Sequence, residues 1–184
     1  MWIFLNVDLL ADSSDAQPAE RASATAAMAA QDTWLQEQPA LRLVVTSDWR
    51  HRLTLDQLCA PLSPLARTRV QGTTLLYGEL AAGPRPTRED EVLDWLAHQG
   101  LRDSPWLAVD PRTGDFQRHP ARVLAGRLFT ADTVRQLRWR CQWWLRPTGE
   151  RPASGPGSVL RPAPPPCPGC PAPRPAATGL WPAG

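Results

Sequence analysis

Residues 2–8, W-I-F-L-N-V-D, followed by Leu9 and Leu10, decide how the rest of the chain is read. An apolar run broken only by Asn6 and Asp8 suits a strand covered on both faces, as in a parallel sheet held between helix layers. Asn6 and Asp8 are two residues apart, so their side chains leave the same side of the pleat. At the carboxyl end of a buried strand that direction leads to the crevice where open α/β sheets bind ligands.

Working outward, residues 41–46 (L-R-L-V-V-T) form a second apolar, β-branched run that exits into Ser47, Asp48, Trp49, Arg50 and His51. Residues 106–109 (W-L-A-V) form a third, which stops at Asp110 and Pro111. Helical signals separate these strands. Pro18 opens an Ala-rich helix to about Gln38, in which Ala27 and Trp34, with Met28 and Leu35, make adjacent columns at seven-residue spacing, and Pro39 ends it. Thr54 with Gln57 predicts a capping box and a short helix whose buried face is Leu55, Leu58, Cys59 and Leu62, stopped by Pro61 and Pro64. Thr87 with Asp90 caps a helix carrying Val92, Leu93 and Leu96 and ending before Gly100. Residues 68–76 read as a short strand around Gly72, and Leu128 with Phe129 as a last one. Thr130 then caps a final helix with Val134, Leu137, Cys141, Trp144 and Leu145 on one face and Arg135, Arg138 and Gln142 on the other. The alternation predicts an α/β fold, a three-layer Rossmann-like parallel sheet flanked by helices, over residues 1–146. The short connection at residues 9–17 leaves little room for a cap domain, so the fold is expected to be capless.

Composition sets the outer limits. A chain of 184 residues with 42% hydrophobic content supports one domain with a real core, while 21 prolines mark a part that does not fold. They concentrate in residues 147–184, where apolar residues lack any period, and this tail is expected to be disordered. A net charge of +2 points to neither a polybasic nucleic-acid protein nor an acidic one. Four cysteines are too few and too scattered for a disulfide framework, and the apolar opening lacks a basic leader, so a cytoplasmic location is expected. No run approaches the roughly 20 apolar residues of a membrane span, and no membrane partner is expected. Cys167 and Cys170 form a single C-x-x-C without the second ligand pair of a structural zinc site, and His51, His98 and His119 have no ligand spacing. Trp139, Trp143 and Trp144, interleaved with Arg138 and Arg140, read as a helix packed on the sheet rather than a base-stacking surface.

The polar strand exits converge. In a parallel sheet Asn6 and Asp8, Thr46 and Ser47, and Asp110 all lie on one edge, and Arg88 at a helix start brings a cation toward it, as a phosphate site requires. Capping and turn chemistry also place Asp, Ser and Thr after strands, so the pattern has a structural explanation as well.

Over residues 2–145 this constellation resembles the haloacid dehalogenase-like (HAD) superfamily, and more closely the small HAD domains of Swiss Army Knife RNA repair proteins. N-V-D-L-L at residues 6–10 stands where the family has D-x-D-G-[VT]-L, T-S-D-W-R at 46–50 is similar to its second motif, and Arg88, Glu91 and Val92 reproduce R-x-x-E-[IV]. The resemblance implies a Mg²⁺-dependent phosphohydrolase ancestry. It assigns Asn6 to the nucleophile position, Asp8 to the general acid/base, Thr46 or Ser47 to the phosphoryl oxygens, and Arg88 to the transferring phosphate. Asp8 and Asp110 would hold the metal, and Trp49 and Arg50 would line the pocket, Arg50 as a further phosphate ligand. The expected partner is a phosphorylated substrate or ligand, a nucleic-acid end included. The sequence departs from the family at three points. An amide at position 6 is a poor nucleophile and brings no charge to a Mg²⁺ site, Pro111 removes a second acid, and Leu9 replaces a turn glycine. Two readings follow, a phosphohydrolase of weak or no activity and a pseudoenzyme that binds phosphate, nucleic acid or protein.

Overall fold

The computed structural model describes residues 1–8, 18–74, 86–126 and 131–145. Five strands, β1 (Trp2–Leu5), β2 (Arg42–Val45), β3 (Val70–Thr73), β4 (Trp106–Val109) and β5 (Val123–Leu124), form one sheet in the order β3-β2-β1-β4-β5. Every pairing is parallel. The opening strand therefore sits at the centre, with Trp2 opposite both Arg42 and Trp106, and Leu5 opposite both Val45 and Val109. This common register places all the carboxyl exits side by side. The ladder runs one residue past the strands, through Asn6 N–H to Val109 O at 2.9 Å and Thr46 N–H to Leu5 O at 2.8 Å. β1 ends at Leu5 rather than running to Asp8, because the Asn6 side chain accepts the Asp8 N–H at 2.9 Å and turns the chain out of the sheet.

Strand alternation divides the core in two. Ile3, Leu5, Leu43, Val45, Leu107 and Val109 face one side, where Trp34 and Leu35 of α1 (Pro18–Glu37) and Leu137, Cys141 and Trp144 of α5 (Ala131–Leu145) cover them. Phe4, Val44, Trp106 and Ala108 face the other, against Val92, Trp95 and Leu96 of α4 (Arg88–His98). The result is the three-layer parallel α/β architecture that the strand and helix alternation predicts. Phe4 is fully buried with its ring edge-on to Trp95 at 5.6 Å and Trp106 at 6.1 Å. Burial of such a side chain contributes about 1.5–3 kcal/mol.

Both capping boxes form. Thr54 caps α2 (Leu55–Cys59) with Gln57 reciprocating, and Thr87 caps α4 with Asp90. Gly100, at φ 68°, takes the left-handed conformation just past the end of α4 that glycine adopts without strain. Two further expectations are corrected. Pro64 does not stop a helix but opens one, α3 (Pro64–Arg69), with Ser63 accepting the Ala66 N–H at 3.1 Å, since proline at the first helical position loses no hydrogen bond. Leu55 is 39% exposed, because α2 is little more than one turn and turns only Leu58 and Cys59 inward. A further strand that the sequence reading did not expect is Val123–Leu124, while the strand expected at Leu128 and Phe129 lies outside the described residues, as do Thr130, residues 9–17 and the tail. Among the described residues no helix is long and apolar enough to cross a membrane.

Candidate functional site

The three adjacent exits carry Asn6, Thr46 with Ser47, and Asp110, and the first residue of α4 reaches the same edge. Asn6 is buried between two partners. Its Nδ2 donates to Asp110 Oδ2 at 3.2 Å and its Oδ1 accepts from the Asp8 N–H at 2.9 Å. That pairing fixes which way the amide points. Flipped, it would set a donor against the Asp8 N–H and an oxygen against a carboxylate.

Asp8 is the focus of a second set of donors. Its Oδ1 accepts from the Ser47 hydroxyl, and the Asp48 N–H lies 3.1 and 3.2 Å from its two oxygens. Arg88 Nη2 stands 3.6 Å away. Ser47 also accepts the Trp49 N–H at 3.0 Å, capping the 3-10 turn Asp48–His51, which points the first N–H of that turn at Asp8. A hydroxyl, a turn N–H and a guanidinium thus cradle one anionic group.

Arg88 is the hub. It is 2% exposed, and its Nη1 meets Glu91 Oε2 at 2.9 Å, its Nη2 meets Asp48 Oδ1 at 2.7 Å, and its Nε lies 3.7 Å from Asp110 Oδ2 without a hydrogen-bond partner. Burial opposes the charge on Arg88, but Glu91 foremost, then Asp48 and Asp110, outweigh it and hold the guanidinium above its usual range. Burial likewise pushes the Asp110 carboxyl up, against the pull of the Arg112 N–H, Asn6 and Arg88. Arg112 donates its N–H to Asp110 Oδ1 at 2.8 Å and pairs its guanidinium with Asp48 across the edge.

Asn6, Asp8, Thr46, Ser47, Arg88 and Asp110, the site residues singled out from the sequence, lie at this edge with different occupations. The hydroxyl that reaches Asp8 belongs to Ser47, while Thr46 is buried and extends the ladder through its backbone. Arg50 is buried against Glu91 at 2.7 Å and donates to Ser47 O at 2.5 Å, so it braces the cradle from behind. Trp49 is exposed, with the Arg52 guanidinium 5.9 Å from its ring centroid. Sequence reasoning gave no role to Asp48, Glu91 or Arg112. The available signals were Asp48 directly after Ser47 and Glu91 at i+3 from Arg88 on the same helix. His119 is structural, with Nδ1 2.7 Å from the buried Glu89 and its ring edge-on to Trp106 at 5.6 Å.

The donor set does not fit a magnesium ion. Such an ion requires several oxygen ligands. Both Asp8 oxygens and both Asp110 oxygens already accept hydrogen bonds, and Asn6 presents an N–H to Asp110 where a metal would need an oxygen. Among the described residues no group of three or more His, Cys, Asp or Glu side chains is arranged to hold a metal.

A family model describing the HAD domain in Swiss Army Knife RNA repair proteins matches residues 3–137, from β1 into α5. Comparison with curated proteins and with solved structures gave no match.

Proposed function

Given that the chain belongs to the HAD domain family of Swiss Army Knife RNA repair proteins, a family of hydrolase type, we propose that it binds a phosphate monoester at the Ser47, Asp48 and Arg88 cradle without hydrolysing it. The observation that carries this reading is the convergence of the Ser47 hydroxyl, the Asp48 N–H and Arg88 Nη2 on a single carboxylate, that of Asp8. Those donors suit a phosphoryl group, which offers three acceptor oxygens and more charge than a carboxylate. The Asp8 side chain is 19% exposed, and rotation toward solvent about its own side-chain bonds vacates the cradle.

Turnover through residue 6 has no chemical basis. An acyl-phosphate needs a carboxylate oxygen as nucleophile, which Asn6 lacks, its amide nitrogen lone pair is delocalised, and both ends of the group are held by hydrogen bonds. The phosphorylated ligand we propose is the end of a nucleic-acid strand, in keeping with the RNA repair setting named for the family.

Isothermal titration with inorganic phosphate and with a 5′-phosphorylated oligonucleotide, in parallel with a phosphate-release assay on p-nitrophenyl phosphate, tests both halves. Binding weakened by Ser47→Ala, with no release above buffer, is the expected result. Phosphate release that survives Asn6→Ala and is abolished by Asp8→Asn would establish hydrolysis by another nucleophile and overturn the proposal.

A further inference from the structure

Three facts about Asp110 fix what charge this site can accept. Asp110 is 1% exposed, with Oδ2 accepting from Asn6 Nδ2 at 3.2 Å and Oδ1 accepting from the Arg112 N–H at 2.8 Å. The Asn6 amide cannot turn over, because its oxygen is committed to the Asp8 N–H. Arg88 Nε, a buried N–H without a hydrogen-bond partner, stands 3.7 Å from the same Oδ2. A cation bound at Oδ2 would therefore displace a donor and sit within a few ångströms of a fixed positive charge, in surroundings that screen poorly.

We propose that the Asn6 amide and the Arg88 guanidinium together stand in for a divalent cation at Asp110, making the site metal-independent by construction, with residue 6 as the switch. Changing Asn6 to Asp keeps the oxygen that accepts the Asp8 N–H. It replaces the N–H facing Asp110 with a second carboxylate oxygen, 3.2 Å from the first. Two buried carboxylates at that distance do not both stay ionised without a proton or a cation between them. Arg88 cannot supply that charge in full, because it already faces Asp8, Asp48 and Glu91 as well as Asp110. A divalent ion that takes one oxygen from each acid and completes its shell with water resolves the conflict, so the variant should require what the native chain excludes. This holds whether or not the cradle takes phosphate, and its test uses no phosphate.

The experiment is thermal unfolding of the full-length chain in EDTA and in millimolar MgCl₂ or MnCl₂ at matched ionic strength, for wild type, Asn6→Asp, Asn6→Leu and Asn6→Asp/Asp110→Asn. Wild type and Asn6→Leu should melt at the same temperature with and without the ion. Asn6→Asp should melt below wild type in EDTA and regain several degrees with Mg²⁺ or Mn²⁺, and the added Asp110→Asn should abolish that gain. Mn²⁺ titration followed by electron paramagnetic resonance gives a reading that needs no melting curve, with the free-ion signal undiminished by wild type and reduced by Asn6→Asp. Mn²⁺ uptake by wild type that disappears in Asp110→Asn overturns the proposal. So does an Asn6→Asp chain that the metal leaves unstabilised, or that fails to fold whether or not the metal is present.

Discussion

Replacing Arg88 with Met tests whether the site is held together by one buried charge. Met keeps the length and apolar stem of the side chain and deletes the guanidinium, leaving Asp110 and Glu91 buried. At an effective dielectric of about 20, the contacts to Asp48 at 2.7 Å and Glu91 at 2.9 Å are each worth about 6 kcal/mol before desolvation is charged against them. Desolvation of a side chain 2% exposed takes back most of this. Breaking a buried pair from one side leaves a net loss of about 3–5 kcal/mol, the cost of the uncompensated acids. Arg50 continues to neutralise Glu91 at 2.7 Å, which puts the expected loss at the lower end, about 3 kcal/mol. That is a large fraction of the 5–15 kcal/mol or so that holds a typical domain folded. Arg88→Lys should recover only part, since one ammonium cannot span acids that the guanidinium meets with separate nitrogens. Urea unfolding followed by tryptophan fluorescence measures the difference, and its pH dependence identifies the cause. Burial already raises the Asp110 carboxyl against the pull of Arg88, so without Arg88 it takes up a proton more readily and the gap to wild type should narrow as pH falls from neutral toward about 4. A loss below about 1 kcal/mol, as for a surface pair, or a gap unchanged by pH, would refute the reasoning.

Two further outcomes follow from burial. Burial pushes the Cys141 thiol up to about 12, so iodoacetamide at neutral pH should leave the Cys141 peptide unmodified in the native chain and label it in urea. Equal labelling in both would show that the packed face of α5 is open. The Asp110 carboxyl is also pushed up by burial, so the folded state holds its proton to higher pH than the unfolded chain does. Its contribution to stability is full below about pH 4 and is lost as pH rises through the folded value. The stability of wild type relative to Asp110→Asn should accordingly fall across that window, and a relative stability that rises instead would mean that hydrogen bonding outweighs burial.

The central and neighbouring strands were legible because apolar runs bounded by polar exits leave a signal that survives without tertiary context. β1, β2 and β4 are such runs. β5 is two residues long and pairs only through Ala108 with Val123 and Val109 with Leu124, too little to leave a pattern in the sequence. Both capping boxes were legible because the spacing of Thr and Gln or Thr and Asp encodes them locally. The convergence of Asn6, Asp8, Ser47, Arg88 and Asp110 at one edge follows from parallel topology. What each side chain binds does not follow from it. Neither Glu89 nor Glu91 was given a partner from the sequence, yet both are buried, because Arg118 and His119 come down on Glu89, and Arg50 on Glu91, from segments far apart in sequence, while Arg88 meets Glu91 from one turn away. Trp95 was likewise left out of the α4 stripe and packs against Trp2 and Phe4. Periodicity counts apolar positions and is blind to a charge whose partner arrives from elsewhere.

The central place of the opening strand has a consequence for how the chain acquires its structure. Its first neighbour, β2, begins 40 residues later, while its second, β4, is paired at a separation of 104 residues. During synthesis Trp2, Ile3, Phe4 and Leu5 therefore leave the ribosome long before either side of the strand is covered. Even after β2 docks, one row of backbone donors and acceptors stays open until Trp106–Val109 has emerged. Closing so wide a loop is an entropic cost met before the contact rewards it, which makes insertion of β4 a late and slow event. In that interval the half-built sheet is a template for another chain's strand, and Asn6 and Asp8, polar groups at its end, are the brake on that apolar edge.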